Sequence, residues 1–214
     1  MFNTTIATQI YAKICFEATN SQKKIIENLS EYLSDDDFSR IFVLNGFAGT
    51  GKTTLIAAVV AALKELRIKP VLLAPTGRAA KVLARYCGEQ ALTIHKRIYR
   101  QRTNADYESK FSLDFNREQG AVFIVDEASM LSDSTGDGAL FGSGSLLEDL
   151  VSYVRSGRGC RLILVGDSAQ LPPVGCDFSP ALDPATVSRY GEVVYGLMDE
   201  VVRQQMQSGI LFNA

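Results

Sequence analysis

Short apolar runs alternate along the chain with longer stretches in which apolar residues recur every three or four positions. The runs predict buried β-strands, and the longer stretches predict helices that bury one face. The predicted strands are Ile41–Asn45, Pro70–Ala74, Val122–Val125 and Arg161–Val165. The predicted helices are Ser21–Leu33, Lys52–Leu66, Gly77–Tyr86 and Ser145–Arg155. This alternation is typical of an α/β fold, a mostly parallel sheet with helices on both faces.

Two segments depart from that alternation. Phe111, Leu113 and Phe115 alternate strictly with polar residues after a turn-like sequence, which predicts a small hairpin inserted within residues 99–118. Residues 132–145 are rich in Gly, Ser and Asp, a composition that indicates a mobile surface loop. No linker-like tract divides the chain, so we expect residues 1–214 to form one domain.

The composition excludes several classes of protein. A hydrophobic content of 46% is ordinary for a globular core. No apolar stretch approaches the roughly 20 residues that a membrane-spanning helix needs, and the N-terminus lacks the pattern of a signal peptide. Cys15, Cys87, Cys160 and Cys176 lie far apart, which indicates neither a zinc site nor a disulfide framework. We therefore expect a cytoplasmic protein without a membrane partner.

The formal net charge of −2 conceals a basic segment. Seven basic residues and one acidic residue lie between Arg78 and Arg102. A basic segment on an otherwise acidic protein favours a polyanionic partner that binds locally. A solvated, charged helix is the alternative interpretation of the same composition.

Residues 46–53 have the full spacing of a phosphate-binding loop, between a predicted strand and a predicted helix. Glycines let backbone N–H groups surround a phosphate, and the helix N-terminus favours its negative charge. Lys52 is expected to reach the β- and γ-phosphates of ATP, and the Thr53 hydroxyl to hold Mg²⁺. An ordinary glycine turn is the alternative. The candidate nucleotide-binding residues of this segment are Gly46, Ala48, Gly49, Thr50, Gly51, Lys52, Thr53 and Thr54.

Polar residues also follow the two later predicted strands, at the sheet edge where ligands bind in such folds. Asp126 is expected to hold Mg²⁺, and Glu127 to orient or deprotonate the attacking water. A carboxylate that caps the following helix is the alternative. Gln170 follows the last predicted strand, close to the expected position of the γ-phosphate, whose presence it would report.

Five segments in this order resemble the superfamily 1 DNA helicases, specifically the RecD-like branch, which moves 5′ to 3′ on single-stranded DNA. The segments are Gly46–Thr54, Leu73–Ala80, Thr93–His95, Val125–Met130 and Gly166–Val174. The resemblance runs from about Gln22 to Gln204. It implies a RecA-like P-loop motor domain that binds and hydrolyses ATP with Mg²⁺ and that binds single-stranded DNA.

The resemblance also implies which residues contact DNA. Pro75, Thr76 and Arg78 match a motif that touches the DNA backbone, and phosphate contacts suit backbone N–H groups and hydroxyls at a helix start. His95 lies in the next DNA-contacting motif. A structural role is the alternative for a lone histidine.

Three further residues match positions that sense the nucleotide. Gln170 matches the γ-phosphate sensor, Gln22 the glutamine that reads adenine, and Arg203 an arginine finger on the γ-phosphate. The alternative for Gln22 is a surface residue on an amphipathic helix. For Arg203 it is a salt-bridged surface residue.

Helicases of this family act through two RecA-like motor domains. We expect this chain to be the first of them, weakly active alone, with the second motor domain absent from residues 1–214 and present in cis in a longer parent. Protein subunits are further potential partners. Two alternatives remain open: an RNA-directed helicase of the same superfamily, and a regulatory nucleotide-binding module that does not translocate.

Overall fold

The predicted apolar runs become strands of a parallel sheet. The computed structural model describes residues 2–103, 109–133 and 141–201. In chain order its strands are β1 (Ile41–Gly46), β2 (Pro70–Ala74), β3 (Ala91–Thr93), β4 (Tyr99–Thr103), β5 (Ser109–Leu113), β6 (Val122–Val125), β7 (Arg161–Gly166) and β8 (Val193–Met198). Within the described residues, six of them form one sheet in the order β3-β2-β6-β7-β1-β8, and its neighbouring strands all run parallel.

Helices connect these strands. They are α1 (Phe2–Lys13), α2 (Asn20–Ser34), α3 (Lys52–Glu65), α4 (Gly77–Cys87), α5 (Ile94–Ile98), α6 (Leu146–Ser156) and α7 (Pro184–Val187). Short 3₁₀ turns span Ala128–Met130 and Pro180–Leu182. The four predicted helices and the four predicted strands are confirmed, with ends displaced by no more than one residue. The sequence-based prediction missed α1, α5, α7, β3 and β8.

Alternate residues of each strand face opposite sides of the sheet, and both sides are covered. In β1, Phe42 and Leu44 belong to a buried cluster that includes residues of α1, α2 and α3. Ile41 and Val43 belong to a second buried cluster that includes residues of α5 and α6. A strand that is buried on both faces appears in the sequence as an uninterrupted apolar run. The predicted fold class, a mostly parallel sheet with helices on both faces, is therefore confirmed.

The segment predicted to form a hairpin contains β4 and β5. These strands pair antiparallel, with Tyr99 opposite Leu113 and Thr103 opposite Ser109. Phe111 of β5 stacks on Phe141 with ring centroids 4.5 Å apart, which attaches the strand pair to the segment that precedes α6. Residues 104–108, between the two strands, and residues 134–140, in the predicted loop, lie outside the described residues.

Cys15, Cys87, Cys160 and Cys176 are all free thiols. None of the helices described here combines the length and the hydrophobicity that crossing a bilayer requires.

Candidate active site

The predicted site residues follow strands that end at one edge of the sheet. The strands β2, β6, β7 and β1 are successive parallel neighbours, so the segments after them emerge side by side. The phosphate loop follows β1, and Thr76 follows β2. Asp126 and Glu127 follow β6, and Asp167 follows β7. Ligands of open α/β sheets bind at this edge.

The phosphate loop needs glycine at two positions for different reasons. At Gly46 an added Cβ would lie 2.9 Å from the Cβ of Met198, because the end of β1 packs closely against β8. Gly51 has a φ of 87°, a left-handed conformation that favours glycine, and it immediately precedes the first residue of α3. The loop therefore leads directly into a helix N-terminus, whose free N–H groups and dipole suit a phosphate.

Lys52 is held by oxygen atoms of its own surroundings. Its ammonium donates to the carbonyl oxygen of Gly46 and, at 2.9 Å, to that of Phe47. It also lies 3.7 Å from a carboxylate oxygen of Asp167. Lys52 is thus folded back onto the loop, from which it must extend to reach a phosphate.

Asp126 and Glu127 form a carboxylate pair that favours a cation. Burial, followed by the charge of Glu127, raises the pKa of Asp126, while the nearby charge of Lys52 lowers it. Glu127 has a φ of 56°, and a left-handed backbone at a non-glycine residue costs roughly 1–3 kcal/mol. Such strain occurs most often at functional sites. The Glu127 side chain makes no capping hydrogen bond to the turn that follows, so the capping alternative has no support at this residue.

The described residues suit Mg²⁺ that is bound together with phosphates. No group of three or more His, Cys, Asp or Glu side chains in the described ranges is arranged to hold a metal ion by itself. Mg²⁺ in nucleotide sites usually takes one or two protein ligands and completes its shell with phosphates and water. Thr53, in the first turn of α3, and Asp126 are the candidate ligands, and the raised pKa of Asp126 is consistent with a carboxylate that gains a cation on binding.

Gln170 is joined to the segment after β6 by a residue that the sequence analysis did not assign. Ser129 is fully buried, and its hydroxyl donates to Gln170 Oε1 over 3.2 Å. This bond leaves the Gln170 amide N–H groups available for a phosphate oxygen, which only accepts hydrogen bonds. Ser129 is therefore placed to orient the predicted sensor. Ser129 lies in the segment Val125–Met130, but no local sequence pattern indicates that its partner is 41 residues away.

Replacing Ser129 by alanine is expected to lower kcat for ATP hydrolysis roughly tenfold, since the loss of one orienting hydrogen bond costs about 1 kcal/mol or slightly more. The affinity for nucleotide should change little, because the Ser129 hydroxyl is bonded to Gln170, which lies outside the phosphate loop. Steady-state hydrolysis and a nucleotide titration on the same preparation would check both expectations. An unchanged kcat would show that Gln170 does not depend on Ser129.

A groove connects the predicted DNA-contacting residues to the predicted catalytic residues. It encloses about 340 Å³ and is lined by Thr76, Arg78, Ala79, Val82, Asp126, Glu127, Met130 and Gln170. Thr76 begins α4, and its hydroxyl accepts from the Ala79 N–H over 3.2 Å. Thr76 and Arg78 are exposed, so they remain accessible to a ligand. Pro75, immediately before Thr76, is not among the described lining residues.

His95 lies apart from this groove. It is half-buried in α5, with its ring centroid 5.1 Å from that of Phe141 and 5.7 Å from that of Tyr99. Burial lowers the pKa of His95, so the neutral imidazole is favoured. The structure thus gives His95 a packing role in an aromatic cluster, and contact with DNA stays a prediction.

Gln22 connects the start of α2 to the phosphate loop. Its Oε1 accepts from the Thr19 N–H at 3.0 Å, which completes a capping box, and its Nε2 donates to the carbonyl oxygen of Thr50 at 3.0 Å. The residue is fully buried, so its interpretation as a surface glutamine is wrong. These bonds leave one lone pair on Oε1 and one N–H on Nε2 unused, so reading adenine would require the buried side chain to become accessible. Arg203 lies outside the described residues.

This edge of the sheet has the construction of a P-loop nucleotide-binding domain, and the fold around it is the RecA-like α/β type. A family model described as an AAA domain matches residues 17–210. The chain belongs to this family, and it is RecD-like within superfamily 1.

Curated relatives carry the same domain within longer chains. The chain is 31% identical over 154 residues to the ATP-dependent RecD2 DNA helicase of Deinococcus radiodurans, with 72% of this chain and 19% of that protein covered. It is 32% identical to the RecBCD enzyme subunit RecD of Mycobacterium tuberculosis, with 76% of this chain and 32% of that protein covered. The chain therefore spans about a fifth to a third of these relatives.

The fold is also that of a solved helicase structure. The Pif1 helicase from Bacteroides, in complex with ADP-AlF3 and single-stranded DNA, superposes with a TM-score of 0.56 at 19% identity. The match covers 90% of this chain and 44% of that one. At 19% identity, this similarity shows a shared fold and nothing further.

Proposed function

We propose that the chain is the ATP-binding motor domain of an ATP-dependent DNA helicase that moves 5′ to 3′ on single-stranded DNA. The observation that carries the proposal is the groove in which Thr76 and Arg78 share one surface with Asp126, Glu127 and Gln170. A helicase must couple ATP hydrolysis to changes in its affinity for DNA. Adjacent nucleotide and DNA sites allow this coupling to pass through directly contacting residues. Relatives named as DNA helicases support the choice of substrate.

Four residues have distinct roles at the nucleotide. Lys52 binds the β- and γ-phosphates as a point charge. Thr53 and Asp126 would hold Mg²⁺, which would supply positive charge beside the phosphate oxygens. Glu127 accepts a proton from the attacking water or orients it. The site combines positioning with electrostatic stabilisation, the two contributions that dominate phosphoryl transfer.

The DNA side would bind the sugar–phosphate backbone. Thr76 offers a hydroxyl and Arg78 a guanidinium at the first turn of α4, where free backbone N–H groups also favour phosphate. Pro75 stiffens the approach to this turn. Such contacts position the strand without reading its sequence. His95 would add a contact from α5.

Gln22 and Arg203 have further roles at the nucleotide in this proposal. Gln22 would read adenine with its remaining lone pair and N–H, once its buried side chain becomes accessible. Arg203 would act as an arginine finger, which stabilises charge in the transition state. A second motor domain in cis would close over the nucleotide and allow stepping along DNA.

The proposal predicts weak binding of single-stranded DNA that depends steeply on salt, because basic residues release counterions from the phosphates that they neutralise. Fluorescence anisotropy with a labelled oligonucleotide at several salt concentrations measures this dependence. Arg78→Ala should weaken binding at low salt and reduce the slope of log affinity against log salt by roughly 0.7, the loss of one phosphate contact on a single strand.

A matched control and an RNA ligand separate the alternatives. Arg67→Ala removes an exposed arginine that does not line the groove, and it should leave binding unchanged. An RNA of the same sequence that binds more tightly than DNA would favour the RNA-directed alternative. An affinity that does not depend on salt would contradict backbone binding at this surface.

A further inference from the structure

Asp167, a carboxylate to which the sequence analysis gave no role, lies beside the phosphate-binding lysine. Its Oδ2 is 3.7 Å from Lys52 Nζ. The Asp167 side chain is 4% exposed and that of Lys52 is 15% exposed, so water screens their attraction poorly. A carboxylate this deeply buried is costly unless a cation or hydrogen-bond donors accompany it.

The same ammonium has two competing sets of partners. In the structure, it is held by Asp167 and by the carbonyl oxygens of Gly46 and Phe47. With nucleotide, it is expected to bind phosphate oxygens, because this is the role of the lysine in a phosphate loop. One ammonium with three protons cannot satisfy both sets fully.

We propose that Asp167 is a positioning residue that holds Lys52 and competes with the nucleotide phosphates for it. The inference rests on the proposed binding of nucleotide at this loop. Arrival of a phosphate draws Lys52 away, and Asp167 is left buried with a smaller set of partners. The ion pair therefore lowers the affinity for nucleotide.

Asp167 is also bonded to the turn that carries the predicted sensor. Its Oδ1 accepts from the Ala169 N–H at 2.9 Å, and its carbonyl oxygen accepts from the Gln170 N–H at 3.1 Å. Gln170 in turn lines the groove with Thr76 and Arg78. Release of Lys52 thus changes the charge balance of Asp167, which is joined by one hydrogen bond to Gln170, a residue that lines the groove. This path connects the phosphate loop to that groove.

The first test measures the affinity of the 214-residue chain for a fluorescent ADP analogue, with a chelator present so that no metal takes part. Asp167→Asn keeps an acceptor for the Ala169 N–H but removes the charge. We expect it to bind the analogue roughly three- to tenfold more tightly, because the phosphates no longer compete with a carboxylate for Lys52. Asp177→Asn, an equal charge change at an exposed residue of the same loop, should bind as the wild type does.

Unchanged or weaker binding by Asp167→Asn would overturn the proposal. So would an effect that appears only when Mg²⁺ is added, since Asp167 would then act on the metal. If Asp177→Asn tightened binding equally, general charge would explain the result, and the proposal would also fail. Asp167→Ser, which supplies a neutral acceptor of smaller size, provides a second variant if the asparagine is poorly accommodated.

The second test needs no nucleotide. Thermal unfolding of the wild type, Lys52→Met, Asp167→Asn and the double variant forms a double-mutant cycle. We expect Lys52→Met to lower the melting temperature, because it leaves Asp167 without its cation, and the double variant to recover part of that loss. Strictly additive effects would overturn the pairing. Additive effects in this cycle would contradict the ion pair without bearing on the proposed function. If the proposed nucleotide binding is wrong, the wild-type chain itself would not bind the ADP analogue in the first test.

Discussion

Replacing Glu127 by glutamine is expected to lower kcat for ATP hydrolysis by roughly 10²- to 10⁴-fold, the contribution of a positioned general base. The affinity for nucleotide should stay within about threefold of the wild type, because the role of Glu127 is confined to the attacking water. Glutamine has nearly the same shape and can occupy the left-handed backbone of this position at a similar cost. Single-turnover hydrolysis with saturating single-stranded DNA, together with a nucleotide titration, measures both quantities.

Glu31→Gln serves as the matched control, because Glu31 is an exposed carboxylate of α2 and its substitution changes the net charge equally. It should hydrolyse ATP as the wild type does. Wild-type turnover by Glu127→Gln would show that another group activates the water. A variant that neither binds nor hydrolyses nucleotide would instead show that Glu127 supports the architecture of the site.

Replacing Lys52 by alanine is expected to weaken binding of ATP and ADP by roughly 30-fold or more. Removing one partner of a buried charge-assisted contact costs about 2–5 kcal/mol, and each 1.4 kcal/mol corresponds to a factor of ten. Titration with a fluorescent ADP analogue gives the change directly. Lys52→Ala and Asp167→Asn break the same ion pair, but we expect them to change nucleotide affinity in opposite directions. The reason is that only Lys52 binds the phosphates.

Lys64→Ala provides the control on the same helix. Lys64 is exposed near the end of α3 and pairs with Glu89, far along the helix from the phosphate loop. Its loss should leave nucleotide affinity unchanged. If Lys52→Ala folds and binds nucleotide with unchanged affinity, the assignment of the phosphate loop is incorrect.

Much of the sheet was predictable because its central strands are buried on both faces. The strands β1, β2, β6 and β7 appear as continuous apolar runs, and each is long enough to be distinguished from a loop. The edge strands were missed for physical reasons. β3 has three residues, and β8 contains Gly196, at which an added Cβ would lie 2.2 Å from Ile25. That glycine is required by the close approach of α2, a contact that no sequence pattern reports.

The helix α1 was also missed by prediction from the sequence. Its sequence is rich in β-branched residues, which are poor helix formers, and it has little contrast between its faces. Ile6 and Ile10, one helical turn apart, are nevertheless fully buried with residues of α2 and α3. Tertiary packing therefore outweighs local propensity in this segment.

By itself, the sequence determined the parts of the site that lie within single short segments. The phosphate loop, the Asp126–Glu127 pair and the turn that contains Gln170 each follow an apolar strand, so both their chemistry and their position at the sheet edge could be predicted. The order of the strands in the sheet could not be predicted, because apolar runs carry no information about which strands pair with each other. Only the tertiary structure, through the order β2-β6-β7-β1, brought Ser129 to Gln170 and Asp167 to Lys52. These contacts join residues that are distant along the chain, and their energies depend on burial that exists only after the sheet has formed.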